Sequence, residues 1–177
     1  TSEIAQFLRN DPVAILITHG HSDHIAFLDN FVKEYPGATI LGHPDSRLKE
    51  GYPNFKRVDN NQEFIIGEMR FKCIHTPGHY FDSICYQISP VLFTGDTMFV
   101  GRTGRIKGKY SSIEDLYDSI YNKILKMPGG IKIYPGHDYG NKPNITLEEN
   151  ILNSPLLSAK NLDDFKKQHP AFANLDP

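Results

Sequence analysis

Short apolar runs of strand length in this chain repeatedly hand over to histidine or aspartate, and this constrains the fold more than any other feature. VAILIT, from Val13, runs into the cluster HGHSDH, which holds His19, His21, Asp23 and His24. MRFKCI leads into HTPGH, from His75 to His79. VLFTG ends on Asp96, and IKIY leads through PGHDYG to His137. Residues so far apart in sequence meet only where strand ends line up along one edge of a sheet.

The runs between them read as a mixture of strands and helices. SEIAQFLRN is patterned as a short amphipathic helix, and Ile25, Leu28, Val32 and Tyr35 recur at helical spacing, which places Asp23 and His24 near a helix start. ATILGH is a second short buried strand. In EFIIGEMRFKCI, Gly67 and Glu68 separate two strands of a hairpin, with Met69, Phe71 and Cys73 sharing one face. SICYQI and VLFTGD pair around Ser89 and Pro90. A helix with apolar positions Ile113, Leu116, Tyr117, Ile120 and Ile124 follows, opened by a capping box from Ser111 to Glu114 and stopped by PGG. Thr146 and Glu149 suit another helix start, and LDDFKKQ a short last helix. The fold class is therefore α/β.

At 177 residues the chain has the length of one domain, 1–177, with the chemistry-bearing motifs in 18–140 and a short helical tail over 144–177. A formal charge of -2 gives no general attraction to nucleic acid. With no apolar run of membrane-spanning length and no secretory leader pattern, the chain reads as soluble and cytoplasmic, with no membrane partner. Cys73 and Cys85 have no CxxC spacing and sit among apolar residues, so they read as packed core thiols.

In HGHSDH, His19 and His21 lie two apart and converge from a tight turn, whereas Asp23 and His24 project in another direction. That suits two adjacent metal ions, and imidazole with carboxylate suits zinc, iron or manganese. Solvated loop side chains or helix caps are the plain alternative, and three histidines with one aspartate in six positions argue against it. HTPGH, FTGDT and PGHDYG are each ambiguous alone and gain force from recurring at strand ends. GRTGRIKGKY gathers Arg102, Arg105, Lys107 and Lys109 just after Asp96, a cationic loop suited either to an anionic ligand or simply to solvent.

Taken in order, THGHSDH, HTPGH, FTGDTMF and YPGHDYG resemble the motifs of the metallo-β-lactamase-fold hydrolases, over about Thr18 to Gly140. LFTGDTMFVGRTGR and IYPGHDYG are similar in wording to the glyoxalase II (hydroxyacylglutathione hydrolase) and persulfide dioxygenase branch. The resemblance implies an αββα sandwich of two mixed β-sheets flanked by helices, with the metal site along one sheet edge. Residue by residue, it implies one site of His19, His21 and His79, a second of Asp23, His24 and His137, and Asp96 bridging them. His75 matches a motif histidine that does not itself bind metal. Arg102 belongs to the cationic loop; Arg105 falls where glyoxalase II has a basic glutathione contact, and Tyr139 matches the tyrosine of its GHEY motif. Relatives carry several strands before the first motif, so the seventeen residues preceding Thr18 imply that part of the usual N-terminal strands is lacking, as in a fragment.

The implied activity is hydrolysis of a small-molecule thioester, such as an acyl-glutathione, by a metal-bound hydroxide. Two divalent ions, zinc or else iron or manganese, would be the cofactors, and Asp23 and Asp96 would orient the nucleophile. The rival is a persulfide dioxygenase with one iron held by a two-histidine, one-carboxylate set. GRTGRIKGK departs from that branch's GRTDF, whereas the short tail matches it. A third reading is a metal-binding or partner-binding module without catalysis.

Overall fold

The computed structural model describes residues 6–173, with side chains over 6–169. Strands β1 (Ala14–Leu16), β2 (Thr39–Gly42) and β3 (Phe55–Arg57) form a parallel sheet in that order. Strands β4 (Glu63–Ile66), β5 (Met69–His75), β6 (Ile84–Ile88), β7 (Val91–Gly95), β8 (Lys132–Pro135) and β9 (Ile145–Thr146) form a second sheet, also in sequence order. All its pairings are antiparallel except β7 with β8. The mixed character expected of both sheets is thus a property of the larger one. The smaller is parallel in its described strands, because helical segments rather than hairpins return the chain between them.

Alternation of side chains across each strand sorts the core into layers. On β1 and β2, Ile15 and Ile40 turn outward to Ile25 of α1 (Ser22–Ile25) and to Leu28 and Val32 of α2 (Leu28–Glu34). Leu16 and Leu41, one position on, turn inward to Phe71, Cys73, Ile84 and Tyr86 of the larger sheet. The opposite face of that sheet, carrying Ile74, Cys85, Leu92 and Ile133, packs on three further helices. These are α3 (Ile113–Asp118, continued by a wide turn over Ser119–Lys123), α4 (Leu147–Asn153) and α5 (Leu162–Ala173). The order is helix, sheet, sheet, helix, the αββα sandwich. Ile133 is fully buried in this layer, and truncating it to Ala would cost about 2–5 kcal/mol. Both cysteines are fully buried, on opposite faces of the larger sheet.

Two features carry this architecture to the site. The fully buried Tyr86 donates its hydroxyl to the carbonyls of Ile17 (2.9 Å) and Leu41 (3.2 Å), tying the sheets together just before the first histidine motif. Strand β5 is antiparallel to β6, and β6 to β7, so β5, β7 and β8 all point the same way. Their C-terminal ends, followed by His79, Asp96 and His137, therefore share one edge.

Some expected elements differ. The first half of the helix expected over SEIAQFLRN lies outside the described residues, and from Gln6 to Asn10 the chain makes turns and bends, leading to Pro12. The helix expected through Ile25 to Tyr35 is broken at Ala26 and Phe27, where Phe27 leaves helical geometry (φ -109°, ψ 11°). The cap of α3 is Ser112, whose Oγ accepts from Asp115 N at 3.1 Å, one residue later than the expected Ser111–Glu114 box. Ser112 N–H donates to the Gly78 carbonyl and holds it extended, Ser111 turns back to Gly108, and Glu114 pairs with Lys166. The cap expected at Thr146 and Glu149 is present. No helix among the described residues is long and apolar enough to cross a membrane.

Candidate metal centre

The loop after β1 delivers His19 and His21, the loop after β5 delivers His79, and their ring nitrogens converge. His21 Nδ1 lies 3.0 Å from both His19 Nε2 and His79 Nε2. His79 Nδ1 donates to the Arg105 carbonyl at 2.9 Å, and His19 Nδ1 meets the Thr18 hydroxyl at 3.3 Å. With the outer nitrogens of His79 and His19 so engaged, their inner ones face His21 Nδ1 with lone pairs. Tetrahedral zinc, at about 2.0–2.1 Å from each nitrogen, spaces its ligands about 3.3 Å apart, close to what is seen.

Beside this tripod, His24 Nε2 lies 3.2 Å from His137 Nε2, and Asp23 Oδ2 lies 3.3 Å from His137 Nε2. The buried Asp96 stands between the two groups. Its Oδ1 is 3.2 Å from His24 Nε2, and its Oδ2 is 3.5 Å from both His79 and His137. Asp96 Oδ1 is sealed from solvent and has no well-aligned hydrogen bond, only the His24 ring nitrogen beside it. A buried carboxylate oxygen left so is costly, and a cation is the partner that would satisfy it. In each of the groups His19/His21/His79, His19/His24/Asp96 and Asp23/His24/His137, the ligand atoms lie within 4.8 Å of one another. The donors present thus fit divalent ions.

Electrostatics separate the two sets. Burial, and then the neighbouring His24, push His19 down to about 2; burial also lowers His21 and His79. These imidazoles are neutral and ready to donate lone pairs. Burial opposes charge on His24, but the Asp96 carboxylate outweighs it and raises His24. Burial alone would raise Asp96, but His24, together with His19 and His79, more than reverses this and holds it low.

Of the residues expected to meet substrate, Arg102 and Tyr139 are joined. Arg102 Nη2 donates to the Tyr139 carbonyl at 2.9 Å, its guanidinium sits 4.5 Å over the Tyr139 ring, and that ring stacks on His137 at 4.9 Å. Arg105 reaches the centre through its carbonyl, and its side chain is exposed. His75 stays outside: its Nε2 donates to the Phe81 carbonyl and its ring stacks on His43 at 4.1 Å.

Several supporting residues carried no signal in the sequence. Buried Asp82 accepts from Gly20 N at 3.2 Å, fixing the loop between His19 and His21. Burial raises its carboxyl, against that N–H and the Ser46 hydroxyl, which favour the anion. Buried His169, on α5, donates to the Gly104 carbonyl at 3.0 Å. Gly104 packs against the Asp96 carbonyl and the His79 ring so closely that any Cβ would collide. At Gly136 a Cβ would stand 2.6 Å from Asp96 Oδ1 and 2.8 Å from His24 Cε1. The glycine of PGHDYG is thus a close-approach requirement of the centre.

A family profile described as the Metallo-beta-lactamase superfamily matches residues 2–137. The chain belongs to the metallo-beta-lactamase superfamily. Among curated superfamily relatives, a hydroxyacylglutathione hydrolase of Francisella tularensis subsp. novicida is 39% identical over 129 residues, 71% of this chain and 49% of the relative. The probable polyketide biosynthesis zinc-dependent hydrolase PksB of Bacillus subtilis is 30% identical over 141 residues, 77% of this chain and 61% of the relative. The chain therefore spans about half to three fifths of these relatives' length. The crystal structure of ETHE1 from Myxococcus xanthus superposes with a TM-score of 0.83 at 27% identity, covering 99% of this chain and 74% of that one. These likenesses agree with the family and branch read from the motifs.

Proposed function

We propose that residues 1–177 act as one catalytic unit that hydrolyses a small-molecule thioester of the acyl-glutathione type with two divalent ions, zinc first among the candidates. The observation that carries this reading is the pair of adjacent donor sets meeting at Asp96. His19, His21 and His79 would hold one ion, Asp23, His24 and His137 the other, and Asp96 both. Held there, two such ions would supply Lewis acidity and make hydroxide available near neutral pH.

The chain's own residues do the remaining work. Asp96 stays ionised and balances the cationic charge. Asp23, with its side chain 59% exposed, faces the open side, where it accepts a hydrogen bond from the attacking water and orients it. Fixed imidazoles keep the ligand geometry from relaxing as charge develops on the thioester oxygen. The leaving thiolate, of ordinary thiol pKa near 8.5, needs no strong acid. The Tyr139 ring and Arg102 border the His137 side, where they contact the substrate. Loss of lactoylglutathione, followed by its thioester absorbance in zinc-reconstituted protein, tests the reading; stable thioester under those conditions would sink it.

The extent of the likeness to ETHE1 keeps one other reading in view, a mononuclear iron dioxygenase of the persulfide type using His79, Asp96 and one of His19 and His21. Oxygen uptake dependent on glutathione persulfide would support it.

A further inference from the structure

The His21 side of the centre carries a second wall that the motifs do not describe. Tyr80 lies against the His21 ring at 4.2 Å. Tyr110 meets both Tyr80 (5.9 Å) and Phe81 (5.4 Å), and so extends the aromatic surface away from the centre. At its far end, Arg47 Nη2 donates to the Tyr110 hydroxyl at 2.7 Å, with the guanidinium 5.1 Å from the ring centre. Lys109 Nζ stands 5.6 Å from the same ring. Arg47 has no carboxylate partner among the described residues, and both it and Lys109 are exposed.

This wall is anchored rather than draped. Arg47 opens the turn Arg47–Glu50, capped by buried Ser46, whose Oγ accepts from Leu48 N. The Ser46 hydroxyl also faces the Asp82 carboxylate, which holds Gly20 N between His19 and His21. Asp82 thus links the turn bearing Arg47 to the loop bearing two candidate ligands. Two cations are thereby displayed beyond an aromatic floor that begins at the centre. A guanidinium with free fork positions suits a carboxylate or a phosphate, and the flat floor suits the apolar or amide-rich span between such a group and the reacting carbon.

We propose that Arg47, with Lys109 and Tyr110, forms an anion subsite that takes the charged end of the thiol half of the substrate, with Tyr80 as the floor between it and the centre. The inference rests on the thioester reading. Carboxylate and phosphate share the recognition chemistry, and two carriers distinguish them: glutathione, with carboxylates, and coenzyme A, with phosphates.

The test compares kcat/KM for three thioesters of one acyl group, built on glutathione, coenzyme A and neutral N-acetylcysteamine, using the full metal-loaded chain. In wild type, one anionic carrier is preferred over the neutral one. Arg47→Met should lower that preference about tenfold, through KM rather than kcat, as expected of one charge-assisted contact at an exposed site. Arg47→Lys should keep part of it. Equal losses on the neutral and charged thioesters, or none on either, would overturn the subsite. Calorimetric binding of S-methylglutathione and of coenzyme A needs no turnover, so it reads the subsite even if no thioester is cleaved. A Kd raised about tenfold by Arg47→Met for one of them supports it, and Kd values unchanged for both overturn it. Absence of hydrolysis in wild type counts against the thioester reading alone.

Discussion

Two candidate ligand sets of nearly the same composition lie side by side and differ in almost everything else. His19 and His79 are 1% and 8% exposed, their outer nitrogens are engaged by Thr18 and the Arg105 carbonyl, and burial keeps them neutral. In the other set, the side chains of Asp23 and His137 are 59% and 27% exposed, and His24 is pulled towards its charged form by Asp96. The first set is a preformed lone-pair cage; the second is a partly solvated half-site that a proton can occupy. A buried, oriented set favours retention of its ion, and an open one favours exchange of water and substrate.

The largest effect is expected where the sets meet. Asp96→Ala should cut turnover about a thousandfold while the far-ultraviolet spectrum and cooperative melting remain; near-normal turnover would dissolve the shared-carboxylate assignment. Next come the sets themselves. His137→Ala should leave one tightly held ion per chain, whereas His79→Ala should weaken the tight ion and leave the labile one, as measured by metal content after dialysis against a graded chelator. Equal retention in both variants would erase the distinction between cage and half-site.

A smaller effect should come from outside the ligand shell. His169 holds Gly104, and the next residue supplies the carbonyl that orients His79. His169→Ala should weaken chelator-resistant metal binding about tenfold, and His169→Gln, which keeps a donor, should restore part of it. Unchanged affinity in the Ala variant would confine His169 to packing.

The smallest effect lies furthest away. Burial, then His75, lower His43 to about 4, below its ordinary 6.5. The unfolded chain therefore binds a proton there between those values and the folded chain does not. The contribution of His43 to stability is complete above about pH 6.5 and is lost as pH falls towards 4. Denaturant midpoints across that window should fall less steeply for His43→Phe than for wild type. Identical slopes would remove His43 from the acid response.

What was legible in the sequence follows the same division. Strand ends carrying His19, His21, His79, Asp96 and His137 were readable because apolar runs of four to six residues mark buried strands and the ligand types are rare in such places. Strands β3 and β9 were not, since FKR and IT are too short and polar to show a period. The break at Phe27 was hidden because Ile25, Leu28 and Val32 keep helical spacing across it. Ser112 displaced Ser111 as cap through a bond to the Gly78 carbonyl, a tertiary contact that no local motif encodes. Asp82, His169 and Arg47 were silent for the same reason: each acts on a residue at least sixty positions away. Local pattern announces the candidate ligands, while the parts that hold them are distributed through the fold.

Metal analysis coupled to activity, on protein purified without added metal, bears most directly on the two-ion hydrolase. Two divalent ions per chain, with thioester hydrolysis lost on chelation and regained on adding zinc, is the predicted result. A single iron with persulfide-dependent oxygen uptake and no thioester cleavage, or a folded chain that takes up no metal at all, would contradict it.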